Sequence, residues 1–179
     1  TKPGSRITTA SLAKAVGVSE AALYRHFASK AQMFEALIAF SEDSVFGLIT
    51  RILEEQGDVE IRCFQVATVV LRFTERNPGI ARILVGEVLL GENVRLRQRV
   101  AQFFARLETQ FSEILRHWAA TTGSQKLRAE VVPNANLLVA VISGRMAQYV
   151  RTEFKVIPSL HWDEQWNSLA QSVFATPPA

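Results

Sequence analysis

Between Leu96 and Trp118 the apolar residues fall at steps of four, three, four, four, three and four: Leu96, Val100, Phe103, Leu107, Phe111, Ile114 and Trp118. At 3.6 residues per turn, all seven share one stripe that must be hidden from water. A strand would send alternate residues to opposite faces and split the set. The spacing predicts a helix over roughly 93–121. The same three- and four-residue steps recur over 59–74, where the chain turns at Arg76-Asn77-Pro78-Gly79 because a residue before proline is pushed out of the helical region. They recur over about 80–90, 134–152 and 163–174. The stretch 120–133 reads as a polar break, and Pro158 closes the loop before the last helix. No alternating run bounded by turns reads as a strand. The fold class expected is all-α.

Arg95, Arg99 and Arg106 lie off the long stripe; they read as a solvated helix face, with nucleic acid as the alternative partner. Ala140, Gly144 and Ala147 put small residues on one face of the fourth of these helices. Two amphipathic C-terminal helices that cannot bury both faces within one chain point to a homodimer built as a four-helix bundle.

With 179 residues, 48% hydrophobic and 21% charged, the chain can bury a core at the single-domain end of the size range. Its longest apolar run, Leu137 to Ile142, is far short of the ~20 residues a membrane span needs, and no secretory signal pattern opens it. One cysteine, Cys63, precludes an internal disulfide and reads as a buried, inert thiol. His26, His117 and His161 are scattered, so no metal site is expected. There is no nucleophile elbow and no phosphate-cradling loop; Gly86-Glu87 and Gly91-Glu92 read as helix ends, so neither an enzyme nor a cofactor is expected.

Charge is unevenly placed. Residues 1–30 hold five basic side chains (Lys2, Arg6, Lys14, Arg25, Lys30) against Glu20 alone, while the remainder holds 15 basic and 16 acidic. A phosphate backbone would be drawn to the N-terminal end. There, Thr8 or Thr9 can cap a helix over 10–16 with Leu12, Ala13 and Val16 on its apolar side. Gly17 supplies the positive φ of a sharp turn. Ser19 caps a second helix over 20–27, whose Leu23 and Phe27 face inward. This is a helix-turn-helix, the unit that lays its second helix in the major groove. Small Ala21 and Ala22 allow close approach to base edges, and Tyr24, Arg25 and His26 offer donors to phosphate. Ser29 caps the next helix, with Lys30 at its start. Each residue alone also reads as ordinary packing or surface; the spacing of the set carries the assignment.

Ile7-Thr8-Thr9-Ala10 through Val16-Gly17-Val18-Ser19 to Leu23-Tyr24-Arg25-His26-Phe27-x-Ser29-Lys30 resembles the helix-turn-helix of TetR-family regulators. The resemblance implies a headpiece over 1–29, a dimerisation and regulatory body over 30–179, and a cytoplasmic protein. Three runs are similar to the nucleoid-occlusion branch of that family: 18–27, Glu75-Arg76-Asn77-Pro78-Gly79-x-x-Arg82-Ile83-Leu84, and Val150-Arg151-x-Glu153-Phe154-Lys155 with Pro158 and Trp166. That branch binds palindromic double-stranded DNA as a dimer at the nucleoid and, once DNA-bound, engages the tubulin-like division protein FtsZ. The resemblance implies DNA contacts by Thr8, Ser19, Ala22, Tyr24, Arg25, His26 and Lys30, and an FtsZ-facing surface around Phe40, Arg76 and Asn77. Leu48 and Arg72 depart from the branch near that surface. On physical grounds Phe40 reads more readily as core, whereas Arg76 and Asn77 sit at a helix end. A TetR headpiece has a full helix before the helix-turn-helix, yet only six residues precede Ile7; weak DNA binding by these 179 residues alone is the expectation. The alternative function is a repressor released by a small molecule, which would need convergent polar groups in the body.

Overall fold

The computed structural model describes residue 21 and residues 27–55, 57–87 and 94–174. Among them are six helices, α1 (Lys30–Glu54), α2 (Val59–Arg76), α3 (Pro78–Leu84), α4 (Val94–Thr122), α5 (Gln125–Arg151) and α6 (Trp162–Val173), with no strand. The all-α reading holds for these residues.

Each helix start has a local cause. Ser29 accepts the Gln32 N–H at 3.2 Å, and the Gln32 side chain accepts the Ala28 N–H at 2.9 Å, so two donors at the entrance to α1 are satisfied. Asp58 caps α2 through the Glu60 N–H at 2.8 Å. Pro78 occupies the first turn of α3, where its missing N–H costs nothing. Ser124 caps α5 through the Leu127 N–H. Gly123, at φ 70°, makes the tight turn that folds α5 back along α4, its most extensive packing partner.

The seven-residue stripe of α4 behaves as its spacing demands. Leu96, Val100, Phe103, Leu107, Phe111 and Ile114 are buried, and half-buried Trp118 meets Phe174 edge-on at 5.7 Å. They close on α1 through Phe34, Ile38, Val45 and Ile49, and on α2 through Val66, Val70 and Leu71. Cys63 is fully buried in the same core, as its apolar-periodic surroundings suggested.

Two boundaries differ from expectation. The helix expected over 80–90 is the shorter α3, which ends in a turn at Val85 and Gly86, the latter at φ 79°. The polar break expected over 120–133 is mostly helix: α5 begins at Gln125 and carries Pro133 inside it. Proline removes one N–H and forfeits one helical bond, yet buried Leu127 and Val131 anchor the turns before it and Ala135 and Leu138 those after. Tertiary burial overrides the local breaker.

Candidate DNA and partner surfaces

Of the seven proposed DNA contacts, Thr8, Ser19, Ala22, Tyr24, Arg25 and His26 lie outside the described residues. Lys30 opens α1, half-buried, with its ammonium 5.2 Å from the centre of the Phe34 ring. Phe34 is fully buried, so the start of α1 is rooted in the core.

That root is braced from one side. Arg95 and Arg99 of α4 reach Glu35 and Glu42 of α1 at 3.3 and 2.6 Å, and the Arg106 guanidinium lies 3.9 Å from the centre of the Phe46 ring. These arginines are therefore not a purely solvated face. They line the seam between α4 and α1.

Phe40 is 53% exposed, which corrects the reading of it as core. The buried stripe of α1 runs through Phe34, Ile38, Ser41, Val45 and Ile49, and Phe40 falls beside it. That register is visible in the sequence. Its ring lies 6.1 Å from that of half-buried Phe73 on α2, a contact sequence reasoning missed because the two helices meet only in the fold. Two turns further along α1, Gly47 and Leu48 are also exposed, and a side chain at Gly47 would meet nothing within 4 Å.

Arg76, the last residue of α2, is exposed. Asn77 is half-buried and serves as C-cap of α2 and N-cap of α3. Its amide Nδ2 donates to the Phe73 carbonyl at 2.8 Å, its main-chain N–H to Thr74, and its carbonyl accepts from Ile80 and Ala81 at 2.9 and 3.0 Å. Phe73 links Phe40 to Asn77, its ring facing the first and its carbonyl accepting from the second. The surface is apolar at Phe40 and Phe73 and cationic at Arg76.

The body's interior offers few polar groups to a ligand. Among the described residues the buried polar side chains are Ser41, Thr74, Arg82 and Ser112. Ser41 and Thr74 donate to carbonyls of their own helices, and Arg82 pairs with Glu87 at 2.9 Å. No described helix is long and apolar enough to cross a membrane.

A basic N-terminal sequence followed by a body of packed helices has the order of parts of a TetR-type regulator. Residues 4–37 match the model of bacterial regulatory proteins of the tetR family, and residues 56–173 match the tetracyclin repressor-like C-terminal domain of the SlmA-like type. The chain is 53% identical to the nucleoid occlusion factor SlmA of Shewanella denitrificans over 97% of its length and 87% of that protein's. It is 52% identical to SlmA of a Marinomonas species over 96% and 86% of the two chains, and 54% identical to that of Shewanella baltica over 93% and 84%. It shares its fold with the transcriptional regulator FadR from Bacillus subtilis, solved in complex with stearoyl-CoA, at a TM-score of 0.66 and 18% identity over 91% and 87% of the chains. The fatty acid degradation regulator FadR of Bacillus halodurans aligns at a TM-score of 0.64 and 15% identity over 98% and 91%. The chain belongs to the SlmA nucleoid occlusion factors of the TetR family.

Proposed function

We propose that the protein is a sequence-specific DNA-binding nucleoid occlusion factor that, when DNA-bound, binds FtsZ and prevents division-ring assembly over the chromosome. A homodimer places two recognition helices on a palindromic duplex, so that protein symmetry mirrors site symmetry. Ser19 and Ala22 meet the base edges, and Thr8, Tyr24, Arg25, His26 and Lys30 hold phosphates. The protein works in the cytoplasm on the nucleoid, without a catalytic step.

The observation that carries this reading is relatedness above 50% across headpiece and body together. For the partner surface, support comes from Phe40: an aromatic ring half in water has the composition of an interface hot spot. For the dimer, support comes from α5, whose outer face exposes Pro133, Leu137, Ala140 and Gly144 at steps of four, three and four. Small side chains there allow two helices to approach closely, and α6 lies alongside. A ligand-released repressor is the weaker reading, since Ser41, Thr74 and Arg82, three of the four buried polar side chains among the described residues, are engaged in bonds within the body.

Co-sedimentation of FtsZ polymers with the full-length protein tests the proposal. Palindromic duplex of the nucleoid-occlusion class should bring the protein down with FtsZ or disperse the polymers. Duplex binding with no effect on FtsZ contradicts the division-control reading and leaves only the TetR fold.

A further inference from the structure

The turn that holds Arg76 and Asn77 is tied across the molecule at one residue, Glu75. Tyr149, buried on α5, donates its hydroxyl proton to the Glu75 main-chain carbonyl at 3.1 Å. Ser159, in the loop between α5 and α6, donates to Glu75 Oε2 at 2.5 Å. Arg72 stands 3.5 Å from Oε1. Further back along α2, the Trp162 indole N–H donates to Thr68 Oγ1 at 2.9 Å.

The last four carbonyls of a helix have no partner within it. At the end of α2, Asn77 occupies those of Phe73 and Thr74, and Tyr149 occupies that of Glu75. Those bonds set where the chain leaves the helix, and so where Arg76 and Asn77 stand relative to Phe73 and Phe40. The loop that supplies Ser159 is itself fixed. Arg145 donates to the carbonyls of Pro158, at 2.5 Å, and of Leu160. Glu153, Phe154 and His161 hold positive φ of 54°, 65° and 55°. Non-glycine residues keep that costly conformation only where their surroundings over-determine it.

We infer that Glu75, Tyr149 and Ser159 are positioning residues for the partner surface, through which the α5–α6 pair sets the geometry of the Arg76–Asn77 turn. The inference rests on the proposed assignment of that surface to FtsZ. Tyr149 is 4% exposed and cannot meet a partner itself, so its effect travels through the Glu75 carbonyl. A change in how α5 and α6 pack, within a protomer or against a second one, is felt at the surface through these two bonds.

The test uses the full-length protein on its specific duplex, with variants Tyr149→Phe, Ser159→Ala and both together. Tyr149→Phe keeps the ring that packs edge-on against Phe154 at 5.0 Å and removes only the hydroxyl. Glu75→Gln is the conservative variant, retaining the main-chain carbonyl and an oxygen acceptor for Ser159. Two readouts are needed: FtsZ affinity, and hydrogen exchange of the Ile80 and Ala81 amides, which are bonded to Asn77. Each single variant should weaken FtsZ about threefold to tenfold, the worth of one net hydrogen bond. The double variant should weaken it further and speed exchange at both amides, with duplex affinity unchanged; Glu75→Gln should stay near wild type. Unchanged exchange in the double variant overturns the inference whatever FtsZ does. FtsZ affinity within twofold of wild type also overturns it when Arg76→Ala weakens binding. If Arg76→Ala is silent too, the assigned surface has failed, and exchange alone decides whether the loop positions the turn.

Discussion

Two phenylalanines six residues apart on α1 meet opposite environments. Phe34 has none of its surface in water; Phe40 has 53%. Phe34→Ala should therefore cost about 3–5 kcal/mol, the range for emptying a core aromatic site. Phe40→Ala gives up one ring contact with Phe73 and should cost about 0.5–1.5 kcal/mol. Urea unfolding of both variants checks the pair, and a Phe40→Ala cost equal to that of Phe34→Ala would return Phe40 to the core. Cys63 provides a second residue-scale prediction. Burial, with the nearby Asp58 and Glu60 charges adding to it, pushes its thiol far above the ordinary value of 9.0. Burial, then the Glu75 charge, raises the Tyr149 phenol above 10.0. In both cases the native group stays protonated after the unfolded one has ionised. The stability they contribute is complete below the unfolded values and is lost as pH rises through the native ones. A thiol reagent at pH 9 should leave Cys63 untouched until denaturant is added, and Tyr149→Phe should flatten the loss of stability above pH 10. What was legible at this scale was burial by register: Cys63 follows from its stripe, and Phe40 would have followed had the stripe of α1 been laid out. The Glu75 bonds were not legible, because their partners lie 74 and 84 positions away.

Among the elements, long periodic helices were readable and their ends less so. The stripe of α4 reproduces its sequence spacing because one helix buries one continuous face against several neighbours. Pro133 misled because local propensity is a weak prior beside the burial of Leu127, Val131 and Ala135 around it. The α1–α4 seam was invisible for a different reason: Arg99 finds Glu42 57 positions away. With both side chains partly in solvent, a double-mutant cycle of Arg99→Met and Glu42→Gln should return a coupling below about 1 kcal/mol for stability. The seam braces α1, which under the proposed function links DNA to the partner surface, so the same pair should alter the response of FtsZ binding to DNA more than it alters folding. A thermal midpoint that falls with no change in that response would make the seam merely structural.

For the molecule as a whole, the exposed row Pro133, Leu137, Ala140 and Gly144 is the candidate dimer face. A Cβ at Gly144 meets nothing within 4 Å inside the protomer. Gly144→Leu should then leave the protomer folded and drive the 19.9 kDa chain from dimer toward monomer, as read by sedimentation. A variant that remains a dimer moves the interface elsewhere. Palindrome recognition needs two headpieces, so the monomer should also lose specific duplex.

Under the proposed function, DNA and partner binding strengthen each other. Linkage makes such coupling reciprocal: if duplex tightens FtsZ, FtsZ must tighten duplex by the same factor. Under the proposed function α1 opens with the DNA contact Lys30 and carries the partner contact Phe40, so one helix would serve both surfaces. The most direct measurement is a titration of FtsZ into the full-length dimer, free, on specific palindromic duplex and on scrambled duplex. An affinity about 5- to 150-fold higher on the specific duplex is expected, the usual span of allosteric coupling. Equal affinity in all three states would contradict it.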